Sequence, residues 1–152
     1  MKLTESDVLE LAKLARERGE RLDLRGRDLS GLGLFTVDLS GADLSDADLT
    51  QINVGAGDLS GVDLSRATLR GAALSEAHLK GATLRQAYLS DADLGQADLR
   101  DADLRDSYLA GANLNHANLT GADLQGARYN EYTDWSVDFD PKAAGAIFMV
   151  ST

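Results

Sequence analysis

The apolar residues of this chain recur with a period of five. From position 24 to position 124 every fifth residue is leucine except Val54, giving 20 leucines in 21 places. Two residues before each of these positions the commonest residue is a small one, alanine: Ala42, Ala47, then Ala67 to Ala102 at every fifth step, then Ala112, Ala117 and Ala122. Asp or Asn often precedes the leucine, and Gly often stands two residues after it. Neither a helix, with about 3.6 residues per turn, nor a strand, which alternates every two, has this period. Leucine and the alanine at i−2 point to one side of an extended segment. The chain must then bend before the next leucine can face the same core. Ser-Gly and Thr-Gly pairs supply that bend, because glycine accepts a positive φ. Four bends close a square, so the pattern predicts coils of about 20 residues stacked at the ordinary strand spacing of about 4.8 Å.

The ends differ, as solenoid ends must. Residues 4–18 read as an amphipathic helix, with Thr4 as N-cap, Asp7 in a box-like position, Gly19 as the stop, and Val8, Leu11, Leu14 and Ala15 on one face. That face is expected to cover the first coil. The last segment holds Tyr129, Tyr132, Trp135, Phe139 and Phe148, rings large enough to form a lid over a leucine-lined tube. Asp140-Pro141 reads as an N-cap followed by proline at the first helical position. The expected organisation is a single domain over 1–152: an N-terminal helical cap (1–21), a repeat solenoid (22–126) and an irregular or helical C-terminal cap (127–152).

Runs such as GADLSDADL (41–49) and DADLGQADLRDADL (91–104) closely resemble the pentapeptide-repeat proteins. The resemblance covers residues 22–126. It implies an all-β solenoid, a right-handed quadrilateral β-helix with the central leucine and the i−2 alanine inside. The stretch from Tyr129 to Ile147 resembles the C-terminal caps of cyanobacterial members. Leucine-rich repeats are a poor alternative, since their period is about 20–29 residues with uneven leucine spacing.

Composition narrows the chemistry. Aromatics are 5% of the chain, so aliphatic and small side chains must fill the interior. There is no cysteine, which excludes disulfides and thiolate metal sites and fits a reducing compartment. A net charge of −10 disfavours direct nucleic-acid binding, which depends on Lys and Arg neutralising phosphates. An anionic membrane would repel the chain for the same reason. The first 20 residues carry charges throughout with no apolar core of a signal peptide, and no run approaches a membrane span. A cytoplasmic location is therefore expected. His78 and His116 fall on different faces about two coils apart, and no Walker, GxSxG or HExxH motif occurs. An enzyme, a cofactor, a metal and a small-molecule ligand are not expected.

The outward positions carry the candidate sites. Residues 20 apart should stack, which puts Asp23, Asp43, Asp63, Thr83, Asp103 and Asp123 in one column. Like charges at about 4.8 Å cost about 1 kcal/mol per neighbouring pair in water. Arg85 and Arg105 lie on that face and could relieve them; alternatively each Asp is a solvated residue bonding nearby backbone. A second column runs Asp28, Asp48, Thr68, Tyr88, Tyr108, and two outward tyrosines on a polar wall suit recognition. Phe35 is outward by register and is expected to lie across Gly55. The candidate partner-binding residues are thus Tyr88, Tyr108, Asp43, Asp63, Asp103 and Asp123. The expected function is non-catalytic protein binding or scaffolding through a rigid wall. A homodimer seam is the competing use of the C-terminal segment. The alternative function comes from the resemblance: some family members mimic B-DNA and occupy the DNA site of gyrase or topoisomerase. Net charge favours it. Eight Lys and Arg among the coils, and a tube of 105 residues spanning roughly 25 Å at strand spacing, count against it.

Overall fold

The computed structural model describes residues 1–35 and 37–151. One repeat shows how the backbone is satisfied. Leu44 donates its N–H to the Asp63 carbonyl one coil on, at 2.8 Å, and Asp63 donates to Ala42 at 2.9 Å. Between them the chain bends: Ala47 N–H closes a turn onto the Leu44 carbonyl at 3.1 Å, and Asp46 at the corner takes a φ of 60°. That left-handed corner recurs every five residues and explains why glycine is favoured there, as at Gly41, Gly61 and Gly81.

Parallel pairing joins residues 20 apart, from Asp23 with Asp43 to Tyr108 with Arg128. The coil therefore takes four five-residue steps, as the period predicts. Its sides are shorter than an ordinary strand, because a five-residue step gives two of its residues to the bend and leaves three for the side. Most contacts are single bridges; the named strands are two residues long: β1 (Asn113–Leu114), β2 (Arg128–Tyr129), β3 (Asp134–Trp135) and β4 (Ile147–Phe148).

The interior follows the sequence pattern. Leucines from Leu24 to Leu114 and the i−2 alanines are buried in one continuous core. Each buried leucine contributes roughly 1.5–3 kcal/mol. At Gly57, where alanine is the rule, an added Cβ would lie 2.8 Å from the Val54 carbonyl oxygen. The register is nonetheless unbroken there, with Asn53 on Ala73 and Asp58 on His78. The Phe35 ring does not cross Gly55. It folds back over Gly33 of its own repeat, 3.1 Å from where a Cβ would stand, while a Cβ at Gly55 would meet Asn53 and the Ser75 backbone.

At the N-terminal end α1 spans Glu5–Arg18, with the Thr4–Asp7 capping box and Gly19 at φ 65°. Val8 and Ala12 are buried and Leu11 packs beside them. The residues before the helix also pair: Lys2 bridges to Asp28, and Leu3 donates to the Asp28 carbonyl. At the other end the coil continues with altered spacing. Asn113 pairs with Asp134 and Arg128 with Ile147, offsets of 21 and 19 residues. No helix follows Asp140-Pro141. The Asp140 carboxylate does accept from Ala143 N–H, but the chain makes one turn and leaves at Gly145, φ 86°, to place β4 against β2. Tyr129, at the centre of this end, is buried and meets Trp135 and Phe148 edge-on at 5.4 and 5.5 Å. Phe139 stacks on Trp135, whereas Tyr132 is exposed and outside the cluster.

Candidate partner-binding walls

Outward side chains at the position before each leucine divide into two kinds. The first kind fastens its own turn. In at least fourteen repeats an Asp or Asn there accepts the N–H of the residue two further on, a bond that holds the chain as it enters the bend. All four acidic candidates do this: Asp43 to Ser45, Asp63 to Ser65, Asp103 to Arg105 and Asp123 to Gln125. The structure stacks them in one column with Asp23 and Thr83.

Arginines neutralise much of this column. Arg25 grips Asp23 at 2.7 Å and reaches Asp43 at 3.9 Å, and Arg21 lies 3.5 Å from Asp43. Arg105 grips Asp103 at 2.6 Å and reaches Asp123 at 3.7 Å. The side-chain bond from Arg25 holds the Asp23 carboxyl down to about 2. The corresponding bond from Arg105 lowers Asp103 against the opposing effect of burial. Burial pushes Asp43 up, but the Ser45 bonds and the two arginines outweigh it and leave it lowered. Arg21 carries no part of the five-residue pattern, which is why sequence periodicity does not reveal it.

The second kind breaks the fastening rule. Tyr88 and Tyr108 stack one coil apart, with centroids 4.9 Å apart and planes 5° from parallel. Tyr88 is 47% exposed. The structure adds a third member, Arg128. Its guanidinium lies 5.0 Å from the Tyr108 ring centroid and donates to the phenolic oxygen at 2.9 Å. Arg128 is 20 residues beyond Tyr108, so the same periodicity identifies it once pairing is known to continue past residue 126. An open groove runs beside the stack, lined by Tyr88, Tyr108 and Arg128 on one side and by Asp46, Arg66, Gln86 and Asp106 on the other. Arg66 and Asp46 close a two-bond ion pair in it, both bonds 2.8 Å long. The tyrosine and acidic candidates occupy separate columns and form no common site.

Among the described residues no group of His, Cys, Asp and Glu could hold a metal ion, and no helix is long and apolar enough to cross a membrane. His78 lies between Asp58 and Asp98 in its column, apart from His116.

The model for pentapeptide repeats matches residues 21–54, 58–96 and 97–128, with 8 copies. Two solved cyanobacterial structures are similar. One is alr5209, a pentapeptide repeat protein from Nostoc PCC 7120: 35% identical, covering 96% of each chain, with a TM-score of 0.50. The other is the pentapeptide repeat protein Rfr23 from Cyanothece 51142: 27% identical over 82% of this chain and 97% of that one, also with a TM-score of 0.50. No curated protein matches.

Proposed function

The chain belongs to the pentapeptide-repeat family, and from that premise we propose that it is a non-catalytic binding or scaffold module that docks a protein partner on its tyrosine wall. We read the solenoid as a right-handed, four-sided β-helix, closed at one end by α1 and at the other by the aromatic cluster around Tyr129. The family indicates no catalytic activity. The observation that carries the reading is the Tyr88–Tyr108 stack, half open to solvent on a wall where other repeats place turn-fastening carboxylates. A rigid wall of this kind is ordered before it binds, so little conformational entropy is lost on association.

The test is a pull-down from a cytoplasmic lysate of the source organism, followed by affinity measurement with the purified partner. Replacing both Tyr88 and Tyr108 with Ala should weaken binding at least about tenfold, since buried interface tyrosines often carry more than 1 kcal/mol each. Unchanged affinity would overturn the assignment of this wall. Exposed Val137, Ile147, Phe148 and Val150 at the C-terminal end suit a second copy of the chain, which sedimentation of the pure protein reads directly.

The net charge of −10 favours a second reading, a DNA mimic acting on gyrase or topoisomerase. It is the weaker one, because arginines already occupy Asp23, Asp43 and Asp103. Gyrase inhibition lost in Asp43→Asn/Asp63→Asn, with the tyrosines dispensable, would make it the better reading.

A further inference from the structure

The tyrosine stack has two ends, and the molecule completes only one. Beyond Tyr108 lies Arg128, its guanidinium carbon 5.0 Å from the ring centroid and one N–H bonded to the hydroxyl. Beyond Tyr88 the next residue in the column is Thr68, whose short side chain leaves the outer part of that ring uncovered. The gap is one coil high, the spacing at which Tyr88 and Tyr108 already stack at 4.9 Å. A planar group fits it.

The charges around the gap distinguish between planar groups. Next in the column is Asp48, exposed, with one oxygen accepting from Thr50 N–H and no ion pair among the described residues. Arg66, at the corner, is neutralised by its two bonds to Asp46. Asp106 lines the groove farther along, and it too makes no ion pair among the described residues. Arg70, two residues after Thr68, is a cation of the chain's own that does not line the groove. Around these, the whole molecule carries −10.

Resting on the reading of this wall as a protein-docking surface, we infer that the open face of Tyr88 takes an arginine side chain of the partner. The guanidinium lies over the Tyr88 ring, a cation–π contact like that of Arg128 with Tyr108, and its N–H groups donate to the free oxygen of Asp48. Lysine lacks the flat fork that makes both contacts at once. A neutral ring would gain the stacking but leave Asp48 unpaired. Arg70 competes with the incoming cation through repulsion and sets the affinity lower than the acidic surroundings alone would.

The test uses the whole chain and four capped pentapeptides, Gly-Ser-X-Ser-Gly, with X as Arg, Lys, Tyr or Glu, titrated by NMR. The arginine peptide should shift the Tyr88 ring signals saturably, and its side-chain protons should move upfield under the ring. Its binding should exceed that of the lysine peptide by about threefold or more, the scale of an exposed cation–π contact. Tyr88→Ala and the bulk-preserving Tyr88→Leu should abolish the ring-dependent shifts. Asp48→Asn should weaken binding and Arg70→Ala should strengthen it. Equal binding of the arginine and lysine peptides, stronger binding of the tyrosine or glutamate peptide, or shifts that persist in both Tyr88 variants would overturn the arginine assignment. A partner that depends on Tyr88 and Tyr108 yet shows no arginine preference would overturn this inference while leaving the docking wall intact.

Discussion

The acidic wall and the tyrosine wall use the same repeat position, on neighbouring sides of one coil, for opposite purposes. At Asp43, Asp63, Asp103 and Asp123 the side chain folds along the chain and accepts the amide N–H two residues on. At Tyr88 and Tyr108 it stands outward, the two rings stacking on each other and Tyr108 accepting from Arg128 in the same column. The backbone pairing is the same on both: Thr83 N–H to Val62 and Tyr88 N–H to Ala67, each at 2.9 Å. A coil therefore closes without the carboxylate. The residue before the leucine improves a turn that the backbone and the buried leucine already define, and this leaves individual repeats free to carry recognition groups.

The largest effect should come from breaking the frame both walls share. Leu84, fully buried, sits between Thr83 of the acidic column and the turn leading to Tyr88. Leu84→Asp would place an unpaired charge among leucines. Loss of the cooperative melting transition, or insoluble protein, is expected. A soluble variant with wild-type melting would show that the leucine does not hold the walls in place.

A smaller change separates fastening from charge. Asp63 has a backbone bond and no arginine partner among the described residues. Asp63→Ala should cost about 1 kcal/mol, the usual net worth of one hydrogen bond. Asp63→Asn keeps the acceptor and should stay within about 0.5 kcal/mol of wild type. Equal losses in chemical denaturation would mean that the charge, rather than the fastening bond, is what matters at this wall.

Acid should weaken the two walls unequally. Arg25 holds Asp23 down to about 2. Its folded value thus lies below the ordinary unfolded value of about 3.9. A depressed carboxylate contributes stability that is complete above the unfolded value and is lost as pH falls toward the folded one. Melting temperature should therefore decline between about pH 4 and pH 2, and Asp23→Asn should show a shallower decline. Tyr88→Leu, with no carboxylate involved, should follow the wild-type slope. If Asp23→Asn and wild type fall in parallel, the Arg25 pair contributes nothing to the acidic wall.

What periodicity makes legible is the part of the molecule where every coil repeats the last. The leucine spacing yields the columns, and so places Tyr88 on Tyr108 and aligns the aspartates. The capping box of α1 is equally local, resting on Thr4, Asp7 and Gly19. The ends escape for a physical reason. Lys2 joins the first coil through backbone bonds that any residue type can make. Past residue 126 no leucine marks the steps, so the offsets of 21 and 19 leave no trace in the pattern. The proline at 141 reads as a helix start, yet pairing of β4 with β2 ends the turn first. Arg128 was within reach of the twenty-residue rule, and the loss of the leucine signal concealed it.

A change of the opposite sign is expected behind the tyrosine wall, at Ser107. The i−2 position is alanine in most repeats, including Ala102 directly before it, and those alanines are buried. Ser107 is fully buried as well, and its hydroxyl has no hydrogen-bond partner. Its backbone is already satisfied: its N–H donates to Leu104, and its carbonyl accepts from Arg128 at 2.8 Å. The hydroxyl therefore lost water on folding and gained no bond in exchange. Replacing it with alanine removes that penalty and leaves a methyl group of the shape the neighbouring coils accommodate. Ser107→Ala should raise stability by about 1 kcal/mol, the low end of the cost of an unpaired buried hydroxyl. Denaturant melts of the variant beside wild type read this directly. A loss of stability would mean that the hydroxyl does find a partner, and that the tyrosine wall, unlike the acidic one, uses its interior side chain to hold Tyr108 in place.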